Sequence, residues 1–217
     1  MGLQRTRHAL IFANGEPPSR RLADRYLKEC DLFVCSDGGA NTADRYGLNP
    51  HVVLGDLDSV RPGVLRRLRT ADVLLRPDQN STDLEKTLQW VVSRGYRRIT
   101  VLGATGGRLD HAAGNISALA RFARIADIRF VDATGELRPV GRAVTLDVPR
   151  GTSISLIPLG RCSGVRTTGL RWNLRDEVLA PGVRDSTSNV VRSRPVRIRV
   201  RRGTLLLFRV FRRADTP

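Results

Sequence analysis

The chain has 217 residues, of which 41% are apolar and 5% aromatic, and it carries a formal net charge of +16. This length and composition are typical of a soluble globular protein with one large domain or two modest ones. No apolar run approaches the roughly 20 residues that span a bilayer, and the apolar part of the N-terminal segment, about five residues, is too short for a signal peptide. We therefore expect a cytoplasmic protein that does not bind a membrane.

Three cysteines without Cys-x-x-Cys spacing and three scattered histidines argue against a disulfide framework and a zinc site.

Residues 1–134 alternate between short apolar runs and amphipathic segments. Strands are predicted at 8–13, 31–36, 51–55, 72–76, 98–103 and 127–132. Helices are predicted over segments that include 84–92 and 109–122, where apolar residues such as Leu109 recur at helical spacing and share one face. Strand–helix alternation of this kind indicates an α/β domain, with a mostly parallel sheet covered by helices on both faces. In such folds ligands bind beyond the carboxyl ends of the strands.

Residues 135–217 show a different pattern. Short strand-like runs, among them AVTLDV, SISLIPL and TLLLFRVF, are separated by Gly, Pro, Ser and Asn. This pattern is typical of an all-β domain of about 80 residues, a sandwich or a barrel. The sequence thus predicts two domains, with a composition shift rather than a long linker between them.

The positive charge is concentrated in this second half. From residue 136 onward there are 17 arginines against 6 acids, and over 196–201 arginine alternates with valine and isoleucine. Period two places the arginines on one face of a strand and the apolar residues on the other. A net charge of this size invites a nucleic-acid interpretation. Because no aromatic residues interleave with the arginines, we instead expect a solvated outer sheet face and no nucleic-acid partner.

The polar clusters of the first half follow five successive predicted strands. They lie at 14–18, 36–41, 56–59, 77–83 and 104–111. Turn chemistry alone explains any one of them. Because parallel strands place their carboxyl ends at one edge of the sheet, the coincidence of five such loops predicts a functional site there.

Each of these loops has its own chemistry. If the chain stays extended, Asp56 and Asp58 point the same way and can face one Mg²⁺ ion, which takes one or two carboxylates and completes its octahedron with water and phosphate oxygens. Thr82 and Glu85 form a capping box that starts a helix at residue 83. Asp83 then lies in the first turn, where the helix dipole stabilises a carboxylate, whether or not it also has a functional role.

The last of these loops favours an anion. Its glycines allow backbone N–H groups to approach a phosphate closely, and Arg108 adds a fixed positive charge. Neither a Walker-type GxxxxGK[ST] loop nor a GxGxxG motif after the first strand is present, which excludes the common nucleotide-binding signatures. Clustered acids beside arginine indicate metal-assisted transfer of a phosphoryl-type group.

Taken in order, SDGGAN (36–41), GDLDS (55–59), DQNSTDLEK (78–86) and GATGGRLDH (103–111) resemble the thiamine pyrophosphokinase family. TTGLRWNL (167–174) and STSN (186–189) resemble the family's C-terminal signature. The resemblance implies an enzyme that transfers a pyrophosphoryl group from ATP to thiamine, giving thiamine diphosphate and AMP, with a requirement for Mg²⁺. It also implies an α/β catalytic domain, a β-sandwich domain for thiamine binding and dimerisation, and a homodimer with shared active sites.

The same resemblance implies roles for individual residues. The acidic set around metal, phosphates and nucleophile would be Asp37, Asp56, Asp58, Asp83 and Asp110, with Asp56 and Asp58 as the metal ligands. ATP and its phosphates would be bound by Asp37, Asn41, Thr105 and Arg108, and thiamine by Gln79, Asp83, Trp172, Ser188 and Asn189.

Two alternatives stay open from the sequence. One is a related metal-dependent phospho- or nucleotidyltransferase with another alcohol acceptor. The other is a basic nucleic-acid-binding protein, which the acidic loops disfavour because they would repel a phosphate backbone.

Overall fold

The structure, a computed structural model, describes residues 6–212. The chain divides into two compact units, one ending at residue 133 and the other beginning at residue 134. The division falls one residue before the boundary expected from the sequence.

The first unit is built on six parallel strands. They are β1 (His8–Phe12), β2 (Leu32–Ser36), β3 (Val52–Gly55), β4 (Asp72–Leu75), β5 (Arg98–Leu102) and β6 (Asp127–Val131). Their order in the sheet is β6-β5-β1-β2-β3-β4, and every pair of neighbours is parallel. Each observed strand lies within one residue of its predicted ends, and the predicted fold class is confirmed.

Five helices connect these strands. They are α1 (Arg20–Leu27), α2 (Gly39–Arg45), α3 (Val64–Arg67), α4 (Asp83–Ser93) and α5 (Leu109–Phe122). The chain runs outward from β1 to β4 and then returns to β5 on the other side of β1. Because parallel crossovers are right-handed, α1 to α3 cover one face of the sheet and α4 and α5 the other. This agrees with the packing of α2 against α3 and of α4 against α5.

Burial explains why the strand patterns were readable. All residues of β1 and β2 are buried, as expected for parallel strands covered on both faces, whereas β4 lies at the edge and exposes 56% of Leu75. The prediction that Leu109 belongs to the apolar face of α5 is wrong, because Leu109 is 88% exposed. It is the first residue of the helix, whereas the buried residues of α5 lie in its C-terminal half. No helix within residues 6–212 is long and apolar enough to cross a membrane.

The second unit is a sandwich of two antiparallel sheets. Its strands are β7 (Gly135–Pro139), β8 (Ala143–Leu146), β9 (Ser153–Pro158), β10 (Cys162–Thr168), β11 (Arg175–Leu179), β12 (Ser186–Val190), β13 (Val196–Arg199) and β14 (Leu205–Val210). One sheet has the order β12-β9-β14-β7 and the other β11-β10-β13-β8. Aliphatic side chains of both sheets form one shared core, as in other β-sandwiches.

The alternation predicted for the arginine-rich strand is confirmed. In β13, Val196 and Ile198 are buried while Arg197 and Arg199 are exposed. Arg199 pairs directly across the strands with the exposed Arg166 of β10. The arginines therefore lie on the outer face of their sheet.

Candidate active site

A cleft of about 640 Å³ opens at the carboxyl edge of the parallel sheet. It is lined by residues of the loops that follow β1 to β5, together with residues of α4 and α5. The loops after β1 and β5 flank the point where the strand order reverses, and open α/β sheets bind ligands at such a switch point. The polar loops that were distant in sequence thus meet in one place.

Three carboxylates gather at one end of this cleft. Asp37, Asp56 and Asp58 each present an oxygen atom within 4.8 Å of the other two. Asp37 is only 3% exposed, and its Oδ1 has no hydrogen-bond partner among residues 6–212. Burial raises the pKa of Asp37, and the nearby Asp83 and Asp58 carboxylates raise it further. Three converging carboxylates, one of which has a buried oxygen without a partner, form a donor set that suits a hard divalent cation.

The backbone that brings these carboxylates together is not extended. Leu57, between the two aspartates, has a φ of +69° in the left-handed region, and Asp37 has a φ of +44°. The Asp58 N–H donates to Oδ1 of Asp56 at 3.3 Å. The expectation that an extended chain orients Asp56 and Asp58 is therefore wrong, although the carboxylates do converge. Non-glycine residues with positive φ carry strain, and such strain is concentrated at functional sites.

Gly55 allows Asp37 and Asp83 to approach the end of β3 closely. A Cβ atom at this position would lie 2.9 Å from Cβ of Asp37 and 3.2 Å from Oδ1 of Asp83. Any side chain would thus displace Asp37 or the carboxylate of Asp83. The glycine in GDLDS is needed for space.

Asp83 lies at the first turn of α4, as predicted. Thr82 and Glu85 form the predicted capping box in both directions. Oδ1 of Asp83 accepts the Asp56 N–H at 3.2 Å and the Lys86 ammonium at 3.0 Å. Gln79 lies on the same side of the cleft, where its amide donates to Oδ2 of Asp56 at 3.4 Å. Asp83 and Gln79 therefore both border the acidic cluster.

The first turn of α5 supplies the opposite wall. Arg108 and Asp110 both line the cleft and form a bidentate pair, with nitrogen–oxygen distances of 3.1 Å and 2.6 Å. Hydrogen bonding from Arg108 lowers the pKa of the exposed Asp110 to about 2. Asn115 fixes the helix against the preceding loop by donating to the Ala104 carbonyl at 2.7 Å. Arg108 therefore has to share its charge with Asp110 when an anion binds.

Two of the predicted phosphate residues do not line this cleft. The Asn41 amide donates to the Ser59 carbonyl at 2.9 Å and accepts the Arg61 N–H at 2.9 Å, so it holds the loop that carries Asp56 and Asp58. The Thr105 carbonyl accepts the Glu16 N–H at 2.7 Å, joining the loops after β1 and β5. In this structure both residues brace the walls of the cleft.

The predicted thiamine residues of the second unit lie together within that unit. The Trp172 side chain is 57% exposed, and the Arg171 guanidinium lies 4.7 Å from its ring centroid. Asn189 is buried, and its amide accepts the Trp172 N–H at 3.2 Å and donates to the Trp172 carbonyl at 2.7 Å. Ser188 is exposed, with a φ of +53°. Asn189 thus holds the backbone that presents the indole.

Sequence reasoning missed Lys86. Its side chain is 7% exposed, yet it lines the cleft together with five aspartates. The signal was the Asp-x-x-Lys spacing, which places an acid and a base on one face of a helix.

The fold and the site can be compared with known proteins. Two family models match the chain, the thiamin pyrophosphokinase catalytic domain over residues 23–131 and the thiamin pyrophosphokinase vitamin B1 binding domain over residues 143–205. Thiamine pyrophosphokinase 1 of Oryza sativa subsp. japonica is 34% identical over 220 residues, which cover 88% of this chain and 83% of that protein. Thiamine pyrophosphokinase 1 of Arabidopsis thaliana is 31% identical over 225 residues, covering 89% and 82%.

Solved structures agree. The crystal structure of thiamin pyrophosphokinase from Geobacillus thermodenitrificans has a TM-score of 0.80 at 26% identity and covers 96% of this chain and 99% of its own. Yeast thiamin pyrophosphokinase shares the fold, with a TM-score of 0.84. These matches confirm the resemblance carried by the sequence motifs, and the chain belongs to the thiamine pyrophosphokinase family of enzymes.

Proposed function

We propose that this enzyme transfers a pyrophosphoryl group from ATP to the hydroxyethyl oxygen of thiamine. The observation that carries the proposal is the convergence of the Asp37, Asp56 and Asp58 carboxylates. Oδ1 of Asp37 is buried without a hydrogen-bond partner among residues 6–212, and Asp83 lies directly beside the three. The thiamine hydroxyl oxygen attacks the β-phosphorus of ATP, and the bond between that phosphorus and the α,β-bridging oxygen breaks. The products are thiamine diphosphate and AMP, and the hydroxyl proton is released.

The acidic cluster fits Mg²⁺. Asp56 and Asp58, with Asp37 completing the carboxylate set, would hold the ion. When bound, the ion would neutralise charge on the phosphate oxygens during transfer. Without a cation this wall of the cleft is strongly negative and would repel ATP.

The remaining cleft residues have roles that follow from their positions. Asp83 is anchored through Oδ1 beside the cluster, where it can orient the attacking hydroxyl and take its proton. Arg108 is exposed at the opposite wall, where it can contact a phosphate by exchanging part of its pairing with Asp110. Gln79, already within 3.4 Å of Asp56, can contact the thiamine pyrimidine or its hydroxyl arm.

The second unit supplies the thiamine-binding face. One face of the exposed Trp172 indole is covered by Arg171, and the other face can stack on the positively charged thiazolium ring. We propose a homodimer in which this face of one subunit serves the cleft of its partner. The exposed Leu109 and Val183 side chains, 88% and 84% exposed, are apolar surface that a partner subunit would cover.

Product analysis tests the proposed reaction. The purified enzyme is incubated with thiamine, ATP and MgCl₂, and AMP and thiamine diphosphate are quantified by chromatography. We expect them in equal amounts, and neither when thiamine, ATP or Mg²⁺ is omitted or when thiamine is replaced by an analogue without the hydroxyl. ADP with thiamine monophosphate would refute the transfer of a pyrophosphoryl group. AMP formed with another alcohol but not with thiamine would identify a different acceptor.

A further inference from the structure

Lys86 is a buried base in an acidic cleft. It is one of only two lysines among the 37 lysine and arginine residues of the chain, and its side chain is 7% exposed. A buried ammonium is costly unless an acid pairs with it. Its partner is Oδ1 of Asp83, 3.0 Å from Nζ.

The hydrogen bonds of Asp83 distinguish its two oxygens. Oδ1 accepts both the Lys86 ammonium and the Asp56 N–H. Within residues 6–212, Oδ2 accepts no hydrogen bond. One oxygen is therefore fixed to the protein, while the other is available to a ligand in the cleft.

We propose that Lys86 is a positioning residue, which holds Oδ1 of Asp83 so that Oδ2 meets the hydroxyl group of the acceptor. The inference rests on the proposed function of this cleft and assigns a further residue to it. Two anchors on Oδ1, one from the loop after β3 and one from α4, fix both the place and the rotation of the carboxylate. A planar guanidinium is larger and binds carboxylates through two nitrogens, so an arginine would engage Oδ2 as well. This explains why a lysine occupies this position in a chain whose basic residues are almost all arginine.

The competing explanation is purely structural. A Lys–Asp pair at i,i+3 slightly stabilises a helix, and Lys86 could serve only α4. In that case its removal would lower the melting temperature and leave turnover unchanged. A positioning role predicts the opposite, because a misplacement of about 1 Å in a reacting group costs on the order of 10²-fold in rate.

The test compares Lys86→Met and Lys86→Arg with Lys28→Met, which removes the other lysine, an exposed residue at the end of α1. We expect Lys86→Met to lower kcat about 10²-fold while KM for thiamine changes less than about threefold. Lys86→Arg should retain the charge and still lose most of kcat. Lys28→Met should match wild type. Melting curves on the same preparations show whether the variants are folded.

A second arm asks whether Lys86 acts through Asp83. Lys86→Met is combined with Asp83→Asn, and the residual rates are measured with radiolabelled ATP. If Lys86 only positions Asp83, the double variant should be about as slow as Asp83→Asn alone, because residues that act as a unit are non-additive. Propylamine should also restore part of kcat to Lys86→Ala, an effect that a structural role would not produce.

The outcomes separate the two proposals. If wild type makes thiamine diphosphate and AMP while Lys86→Met retains kcat within about twofold, the positioning role is refuted and the proposed function stands. Additive losses in the double variant, or a loss of kcat that only follows unfolding and is not restored by amine, also refute it. A wild-type enzyme that cannot use thiamine would refute the proposed function and this role with it.

Discussion

At the scale of single residues, the acidic cluster combines charge repulsion with a defined geometry. Asp56 accepts the Asp58 N–H through Oδ1, and asparagine would keep that acceptor while removing the charge. We therefore expect Asp56→Asn and Asp58→Asn each to lower kcat about 10²-fold or more through loss of a preorganised charge. Stability in the absence of metal should be unchanged or higher, because repulsion among the carboxylates is relieved.

Melting curves with EDTA and with MgCl₂ add a readout independent of turnover. Wild type should melt higher with MgCl₂, since a ligand that binds the folded state stabilises it, and the two variants should lose most of that shift. Near-normal activity of both variants with Mg²⁺ as the sole metal would show that these aspartates are not its ligands.

Two explanations for Asp83, a helix-capping charge or a role in the reaction, can be separated by measurements on one preparation. If Asp83 is only a helix-capping charge, its replacement by asparagine would cost from a few tenths to about 1 kcal/mol of stability and leave the rate unchanged. As the residue that orients or deprotonates the attacking hydroxyl, Asp83→Asn should lose nearly all of kcat with a small change in melting temperature. Glu85→Gln, which alters the same turn at the capping box, is the matched control and should affect stability alone.

Sequence reasoning at this scale identified chemical types better than contacts. Asp56, Asp58 and Asp83 follow or begin regular elements, so their place at the sheet edge was predictable. A sequence does not show which polar atoms are already in use: the Asn189 amide is bonded to the Trp172 backbone, and Asn41 braces a loop. The left-handed turn at Leu57 was also not predictable, because leucine has no preference for positive φ.

At the scale of elements, the two halves differ in how far their sequence determines them. Parallel strands buried on both faces are continuous apolar runs that end at polar residues, and caps such as Thr82 mark where the next helix begins. In the β-sandwich the strands could be recognised, but their order could not. Neighbours such as β9 and β14 are distant in sequence, so their pairing depends on packing that involves the whole unit.

His8 gives strand β1 a predicted pH dependence. It is 1% exposed, and its ring nitrogens lie 3.1 Å from the Glu29 carbonyl oxygen and 3.0 Å from Oγ1 of Thr100. Burial lowers its pKa below the ordinary 6.5. Between the two pKa values the unfolded chain binds a proton that the folded chain does not. The contribution of His8 to stability is therefore fully present above this pH window and is lost as the pH drops through it.

Denaturant unfolding measures this effect. From about pH 7 to about pH 5, the unfolding free energy of wild type should fall more steeply than that of His8→Gln, which has no titrating ring. Equal slopes for wild type and His8→Gln would show that His8 does not cause the pH dependence.

At the scale of the whole molecule, the proposed functional residues are divided between two units. The carboxylates and Lys86 lie in the α/β unit, whereas Trp172, Ser188 and Asn189 lie in the β unit. If the enzyme is a homodimer with shared sites, each site uses the acidic cleft of one chain and the indole of the other. Such an interface is isologous, and two equivalent sites form together.

Complementation between inactive variants tests this arrangement. Asp56→Asn damages the cleft and Trp172→Ala the thiamine-binding face, so each homodimer should have two defective sites. In a mixed dimer one site receives both substitutions and the other receives neither. Mixing the variants under conditions of subunit exchange should therefore restore activity towards half of the wild-type value per mixed dimer. The control mixes Asp56→Asn with Asp83→Asn, which alter the same unit and leave a defect in both sites of every dimer. A mixture that stays inactive although exchange is demonstrated by differently tagged subunits, or a protein that sedimentation shows to be monomeric at assay concentration, would contradict the shared site.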